Sequence, residues 1–219
     1  MIIEKYLAIY HGNNPKGSEK CIELEKLALT FVSDIQSGKD IDSQLAIYFI
    51  NEVEEWKAMG IQKRIKGRGV NSQSLAKKAI INSIKSSSPK DQIEAFHPLT
   101  GFGSSINKDY KARPAKVASA AVRFLFPEKW GVVDWRSATI AKCLLETNDI
   151  SEVKILASKQ DKSVWEESYV FMDSTWAVAL NKQYSEIGEI WGIKNNSIVD
   201  QFLFGISLEL WPLPKRKTC

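Results

Sequence analysis

Cysteine is scarce in this chain of 219 residues: Cys21, Cys143 and Cys219 lie far apart, and the last is the final residue. Their spacing suits neither a zinc site nor a disulfide framework, and it favours reduced thiols. No stretch approaches the roughly 18 consecutive apolar residues of a membrane span. The opening MIIEKYLAIYHGNN is too polar and acidic for a secretory signal. We therefore expect a cytoplasmic protein without a membrane partner or a metal.

Alternation of apolar and polar residues, the pattern of a half-buried strand, is almost absent, and VKILA at 153–157 is the only ambiguous piece. Apolar residues recur instead three and four positions apart in 18–36, 41–58, 72–85 and 197–211. The tryptophans of 162–191 have the same helical spacing and predict a buried helix. The sequence thus predicts an all-α fold, one globular unit over 1–219. If it divides into two helical lobes, the cleft belongs to the lobe formed by about 61–150.

Acidic residues are scarce in the middle of the chain. Residues 61–125 hold 13 Lys/Arg and 3 Asp/Glu, a net charge of +10, whereas 1–60 carry −4 and 126–219 carry −2. A basic block between acidic ends is typical of a protein that binds a polyanion. The alternative is a solvated face whose acids come from neighbouring segments. The net charge of +4 is compatible with a monomer, which we expect.

The segment from Arg113 to Arg136, RPAKVASAAVRFLFPEKWGVVDWR, contains two candidates for chemistry. Lys116 lies in the first turn of a predicted helix that begins at Pro114 and ends before Pro127. Asp134 lies where the next helix begins, after two valines. Each also has a purely structural interpretation: Asp134 as an N-cap, and Lys116 as a solvated helix lysine that contacts at most a phosphate.

This segment resembles the core of the helix-hairpin-helix DNA glycosylase superfamily, and most closely its 8-oxoguanine-glycosylase-like branch. The family pattern is a glycine hairpin L-P-G-x-G, then K-V-A, then a proline-bearing turn and V-D. The matching pieces here are LTGFG at 99–103, KVA at 116–118 and VD at 133–134. PEKWGVVDWR and SIVDQFLFGIS also resemble segments of uncharacterised bacterial relatives in this branch. The specific match covers about 40 residues, from Leu99 to Leu145.

One departure from the family pattern lies between the glycines and the lysine helix. In the family the hairpin leads directly into that helix, but here SSINKDYKAR at 104–113 intervenes. Either the hairpin carries an insertion, or LTGFG is not the hairpin and KARP forms a turn in its place. The family's four-cysteine spacing is missing, which excludes the iron–sulfur subtype.

The resemblance implies a protein that flips a damaged or modified base out of double-stranded DNA and cleaves its N-glycosidic bond. Lys116 would be the amine that attacks the sugar, and Asp134 the carboxylate that stabilises positive charge on it. The resemblance implies no cofactor, apart from a possible monovalent cation held by hairpin carbonyls. Candidate DNA contacts are Gly101, Phe102, Gly103, Lys108, Lys111, Arg113 and Arg136, together with the basic loop residues Lys63, Arg64, Lys66 and Arg68.

Three functions remain open at this point. A DNA glycosylase, with or without lyase activity, requires Lys116 and Asp134 to converge on one cleft. A helix-hairpin-helix protein that binds DNA without catalysis, for example in a defence or mobile-element system, would leave Lys116 in solvent and use Asp134 only as a cap. A helical protein–protein interaction domain would have scattered basic residues, many of them paired with acids. In the first two cases we expect a cytoplasmic, nucleoid-associated protein.

Overall fold

The computed structural model describes residues 2–13, 15–58, 71–103, 115–160 and 173–213. Every helix or strand element in these ranges is an α-helix, which confirms the all-α prediction for this part of the chain. The helices are α1 Ile2–Asn13, α2 Pro15–Gln36, α3 Ser43–Ala58, α4 Gln73–Lys85, α5 Pro89–Glu94, α6 Lys116–Leu125, α7 Trp135–Thr147, α8 Ile150–Ser158, α9 Ser174–Trp191 and α10 Asn196–Leu210.

Polar caps explain where many of these helices begin. The side chain of the preceding residue accepts a hydrogen bond from a first-turn N–H in α4, α5, α7, α8, α9 and α10, and the caps are Ser72, Ser88, Asp134, Asp149, Asp173 and Asn195. Such caps satisfy backbone donors that have no partner within the helix. Helix α8 resolves the ambiguous VKILA segment as helical.

The described helices pack in two sets. The first helix set consists of α2 to α6, and the second of α1 and α7 to α10. The sets meet where α5 contacts α9 and where α1 contacts α2. Helix α7 packs in the second set, although it falls within 61–150, where the sequence placed the cleft lobe. The chain crosses from one set to the other between α6 and α7, so this connection lies at the seam.

Aromatic residues fill much of the core on both sides of the seam. Phe49 meets Phe31 and Phe124 edge to face, with ring centroids 5.8 and 6.2 Å apart, a favourable geometry for aromatic pairs. Trp130 is buried, as befits a core residue. Trp176, expected in a buried stripe, is 43% exposed. None of the described helices has the length and apolar character needed to cross a bilayer.

Candidate active site

The connection that leads from α6 to Asp134 is held by hydrogen bonds from α9 and α10. Asn181 accepts from the N–H of Gly131 at 2.6 Å, and Tyr184 donates to the carbonyl of Val132 at 3.1 Å. Asp200 accepts from the N–H of Val132 at 3.1 Å. These bonds are buried, so leaving any of them unmade would be costly. They fix the backbone that presents Asp134.

Asp134 uses its two carboxylate oxygens differently. Oδ1 accepts from the N–H of Arg136 at 3.1 Å and caps α7, as the structural interpretation of this residue predicted. Oδ2 accepts from Nζ of Lys57, at the end of α3, at 2.8 Å. The two side chains are only 11% and 14% exposed. Burial tends to raise the pKa of Asp134, but the charge and hydrogen bond of Lys57 outweigh it, so its pKa lies below the usual value.

Lys116 begins α6 and is partly buried beside this ion pair. Burial lowers its pKa to about 8, and the positive charge of Lys57 lowers it too, whereas the carboxylate of Asp134 acts in the opposite direction. The N-terminus of a helix also disfavours positive charge. At pH 7.5 the neutral fraction of such an amine is roughly 200-fold larger than that of an ordinary lysine of pKa 10.5.

A buried hydroxyl couples the backbone at Lys116 to the backbone at Asp134. Ser119 donates to the carbonyl of Lys116 at 2.9 Å and accepts from the N–H of Val133, also at 2.9 Å. Its side chain is fully buried. Ser119 therefore binds the backbone of Lys116 itself and the backbone of Val133, the residue directly before Asp134. The charges of Lys116 and Asp134 act on one another's pKa, and convergence of their side chains on one cleft stays a prediction.

A second carboxylate, Asp200 of α10, lies close to the first. Its Oδ1 accepts from the hydroxyl of Ser137 at 2.7 Å, and the side chain is buried. Burial raises the pKa of Asp200 to about 6, although its hydrogen bonds and the charge of Lys57 act to lower it. The negative charge of Asp134 adds to the upward shift. The two carboxylates thus differ, since Asp134 keeps its charge more readily than Asp200 does.

A cavity of about 230 Å³ opens beside these groups. Its polar lining residues are Asn13, Lys57, Asp134 and Asp200. Its apolar and aromatic lining residues are Tyr10, Trp56, Val132, Phe204, Leu208 and Leu213. Pockets for drug-sized ligands are typically about 300–1,000 Å³, so this one suits a smaller group. Residues from both helix sets line it, which places the cavity at the seam.

The LTGFG segment forms a tight turn packed into the protein. Gly101 has φ +90°, a conformation that favours glycine, and Gly103 lies so close to His97 that an added Cβ would be 2.5 Å from its ring. Phe102 is buried and stacks on Phe96 with ring centroids 6.0 Å apart. The expectation that the Phe102 side chain contacts DNA is therefore corrected: its ring belongs to the core.

Two carbonyl oxygens of this turn already accept hydrogen bonds. That of Leu99 accepts from the N–H of Phe102 at 3.1 Å, and that of Thr100 from the amide of Asn71 at 3.0 Å. Both carbonyl oxygens therefore have hydrogen-bond donors within the protein. Binding of a monovalent cation here stays a prediction. Among the described residues, no group of three or more His, Cys, Asp and Glu could hold a metal ion.

Arg136 differs from the surface phosphate contact that the sequence suggested. Its side chain is buried, and its guanidinium donates to the carbonyl of Trp211. The same group lies over the rings of Trp135 and Phe204, 5.0 and 5.7 Å from their centroids. The expectation is corrected because Arg136 fastens the C-terminal segment to α7 instead of facing solvent.

Most of the candidate phosphate contacts lie outside the described residues. These are Lys63, Arg64, Lys66, Arg68, Lys108, Lys111 and Arg113. Of the basic residues between 61 and 125 that the structure describes, three form ion pairs with acids: Lys77 with Asp40, Lys90 with Glu94, and Arg123 with Glu25. In its described part, then, the basic block is partly neutralised by acids, as its alternative interpretation expected.

Sequence reasoning missed Lys57 and Asp200. Lys57 is the second-last residue of the segment EVEEWKA, where a lysine in the last turn of a helix is ordinary, and Asp200 lies within the apolar run SIVDQFLF. An acid surrounded by apolar residues was the one available signal, because such an acid must be paired or hydrogen-bonded when buried. Nothing in the local pattern near Lys57 indicates its partner, which follows 77 positions later.

No family model matches this chain, and neither does any curated protein or solved structure.

Proposed function

We propose that this protein is a base-excision DNA glycosylase with AP-lyase activity, in which Lys116 is the nucleophile and Asp134 the electrostatic partner of the sugar. The observation that carries the proposal is that Lys116, an amine of depressed pKa, interacts through its charge with the carboxylate of Asp134. The cavity lining named above includes Asp134 but not Lys116. Perturbed titratable groups at a cleft are typical of active sites.

The carboxylate is suited to stabilising positive charge on a sugar. Its pKa lies below the usual value, so it is charged at neutral pH. Hydrogen bonds fix its backbone, and the cap at the N-terminus of α7 fixes one of its oxygens. A preorganised charge of this kind needs no reorganisation when the base departs and positive charge develops.

The amine is suited to nucleophilic attack. In the proposed reaction the neutral amine of Lys116 bonds to the anomeric carbon, and the base leaves with the electrons of the N-glycosidic bond. The departing base takes one proton from the nitrogen, the ring oxygen takes the second as the sugar ring opens, and an imine remains. The released base then takes a proton from the adjacent sugar carbon of the protonated imine, and the 3′ phosphate leaves with the electron pair of its bond to the sugar, which cleaves the strand.

The cavity is suited to a flat ring. Trp56, Tyr10 and Phe204 line it, and flipped bases are held between aromatic and apolar side chains. The net charge of +10 over residues 61–125 supports a nucleic-acid substrate. The resemblance of segments 99–103 and 116–134 to helix-hairpin-helix glycosylases supports the reaction type.

Borohydride trapping tests the proposal. The protein is incubated with duplex oligonucleotides that contain 8-oxoguanine, uracil, an alkylated base or an abasic site, and borohydride then reduces any imine to a stable adduct. We expect an adduct that is lost in Lys116→Ala and kept in Lys20→Ala, because Lys20 is paired with Glu23 and Glu52 and none of the three lines the cavity. Peptide mapping must place the modification on Lys116.

A second candidate is a helix-hairpin-helix protein that binds DNA without catalysis. It is favoured by the use of both Asp134 oxygens within the protein, one for the cap and one for Lys57. Salt-dependent binding to undamaged duplex, with neither base release nor an adduct across the substrate panel, would support this candidate and contradict the first. Base release that survives Lys116→Ala but not Asp134→Asn would retain the glycosylase with water as its nucleophile.

A further inference from the structure

We propose that Lys57 is a positioning residue of this site: its ion pair holds the carboxylate of Asp134 across the seam, and its positive charge opposes a second positive charge on Lys116. The consequence for catalysis rests on the proposed function, whereas the effect of the Lys57 charge on Lys116 does not. Lys57 has no counterpart in the motifs through which the sequence suggested an active site.

The geometry gives Lys57 and Lys116 different surroundings. Nζ of Lys57 lies 2.8 Å from Oδ2 of Asp134, and Lys57 is one of the residues that line the cavity. Lys116 lies in the first turn of α6, where the helix N-terminus disfavours positive charge. Lys57 and Lys116 both lie near the carboxylate of Asp134, and a positive charge on either lysine disfavours a positive charge on the other.

The pKa shifts have the signs that this opposition of charges requires. For Lys116 burial is the largest cause of its lowered pKa, and the positive charge of Lys57 comes next. For Asp134 the interaction with Lys57 is the largest of those that lower the pKa, and Lys116 contributes least. A neighbouring cation that lowers the pKa of a lysine is a common device for making that amine a nucleophile.

Other acids, on helices of both sets, are not among the charges that change the pKa of Lys116. Asp200 of α10 has Val132 and Ser137 as hydrogen-bond donors. Glu25 of α2 pairs with Arg123 at the far end of α6, and Glu94 of α5 accepts from Ser174. Glu54 of α3 is buried beside Gly101. Among the described residues, Lys57 and Asp134 are the charges that act on the pKa of Lys116.

Lysine NMR tests the inference without DNA. The ε-carbon signals of isotopically labelled lysine are followed between pH 6 and 11, and Lys116 is assigned from the signal lost in Lys116→Arg. In the wild type we expect a midpoint near 8. In Lys57→Met it should rise by about one unit, because a like charge is removed. In Asp134→Asn it should fall, because an attractive charge is removed.

The opposite signs of the two shifts exclude a merely structural role for Lys57. A loosened site would raise the Lys116 midpoint toward 10.5 in both variants, since water would relieve the burial. Lys57→Arg keeps the charge and should keep the midpoint near 8. Lys20→Met removes a paired lysine elsewhere and should also leave it unchanged. A Lys116 midpoint that does not move in Lys57→Met, or that rises in Asp134→Asn, overturns the inference.

Activity measurements connect the inference to function. The rate of adduct formation should rise with pH through the Lys116 midpoint, and in Lys57→Met this rise should move to higher pH by the same shift seen by NMR. An unmoved rate profile beside a moved NMR midpoint would contradict the catalytic consequence. If no DNA substrate reacts but the midpoints move as expected, the proposed function fails while the effect of the Lys57 charge on Lys116 stands.

Discussion

Lys57 and Asp134 are joined by an ion pair whose Nζ and Oδ2 atoms lie 2.8 Å apart across the seam between the two helix sets. Lys57 lies in the last turn of α3 of the first set, and Asp134 caps α7 of the second. Both side chains are mostly buried, so the attraction between them is screened less than that of a surface pair. The ion pair therefore links the two helix sets, and it also lowers the pKa of the carboxylate on which the proposed reaction depends.

Asp134→Asn should separate the charge of this residue from its role as a cap. Asparagine is also a good N-cap, so α7 should still form. Loss of the charge should reduce base release by about 10²–10³-fold, as when a transition-state charge stabiliser is removed. The cost in the free energy of unfolding should be about 3 kcal/mol, because Lys57 loses its counter-ion. Rates are measured by single-turnover base release below the thermal transition.

Asp149→Asn is the matched control for this prediction. Asp149 caps α8 through the N–H groups of Ser151 and Glu152, and it is exposed. The same substitution there should leave activity unchanged and alter stability by no more than about 0.5 kcal/mol. Equal effects at Asp134 and Asp149 would show that only capping matters at Asp134.

Ser119→Ala should loosen the relation between Lys116 and Asp134. The substitution removes two buried hydrogen bonds, one to the carbonyl of Lys116 and one from the N–H of Val133. We expect a loss of about 1–2 kcal/mol in the free energy of unfolding, measured by denaturant titration. Ser158→Ala, which removes an exposed hydroxyl bonded to the carbonyl of Ile155, should have almost no effect. Similar losses in both variants would contradict a special role for Ser119.

The helices were predictable because their signals are local. Apolar periodicity predicted helices over 41–58 and 72–85, and the structure has α3 at Ser43–Ala58 and α4 at Gln73–Lys85. The position of Asp134 followed from the same reasoning, since a cap residue is identified by what comes next in the chain. Trp176 was placed wrongly, because spacing defines a helix face but not whether another element covers it.

The contacts that assemble the site were not predictable in this way. Lys57 meets Asp134 only through packing of α3 near α6, and Asp200 reaches the cavity only because α10 packs on α7. Among the described residues, burial and the charge of Lys57 lower the pKa of Lys116, and neither effect is visible in the sequence around Lys116. Charges act through space, and sequence separation does not measure their distance.

Lys116→Met should stabilise the protein while abolishing adduct formation. A lysine whose pKa falls from 10.5 to about 8 on folding lowers stability most below pH 8, and the penalty disappears as pH rises to 10.5. Methionine keeps the volume without the charge, so we expect a gain of about 1–2 kcal/mol at pH 7. Thermal melts of both proteins should converge between pH 8 and 10.5. A difference that does not depend on pH would contradict burial of the amine.

Gly131→Ala should disrupt the connection that presents Asp134. A Cβ at this position would lie 2.7 Å from Cβ of Asp200 and 2.7 Å from the ring of Tyr184, closer than packed atoms allow. Because both neighbours are buried and hydrogen-bonded, we expect a loss of about 2–3 kcal/mol by denaturant titration. Gly12→Ala, where no atom lies within 4 Å of the added Cβ, should be neutral or stabilising. Activity lost in Gly131→Ala while the melting temperature stays native would show that the loop serves the site without contributing to stability.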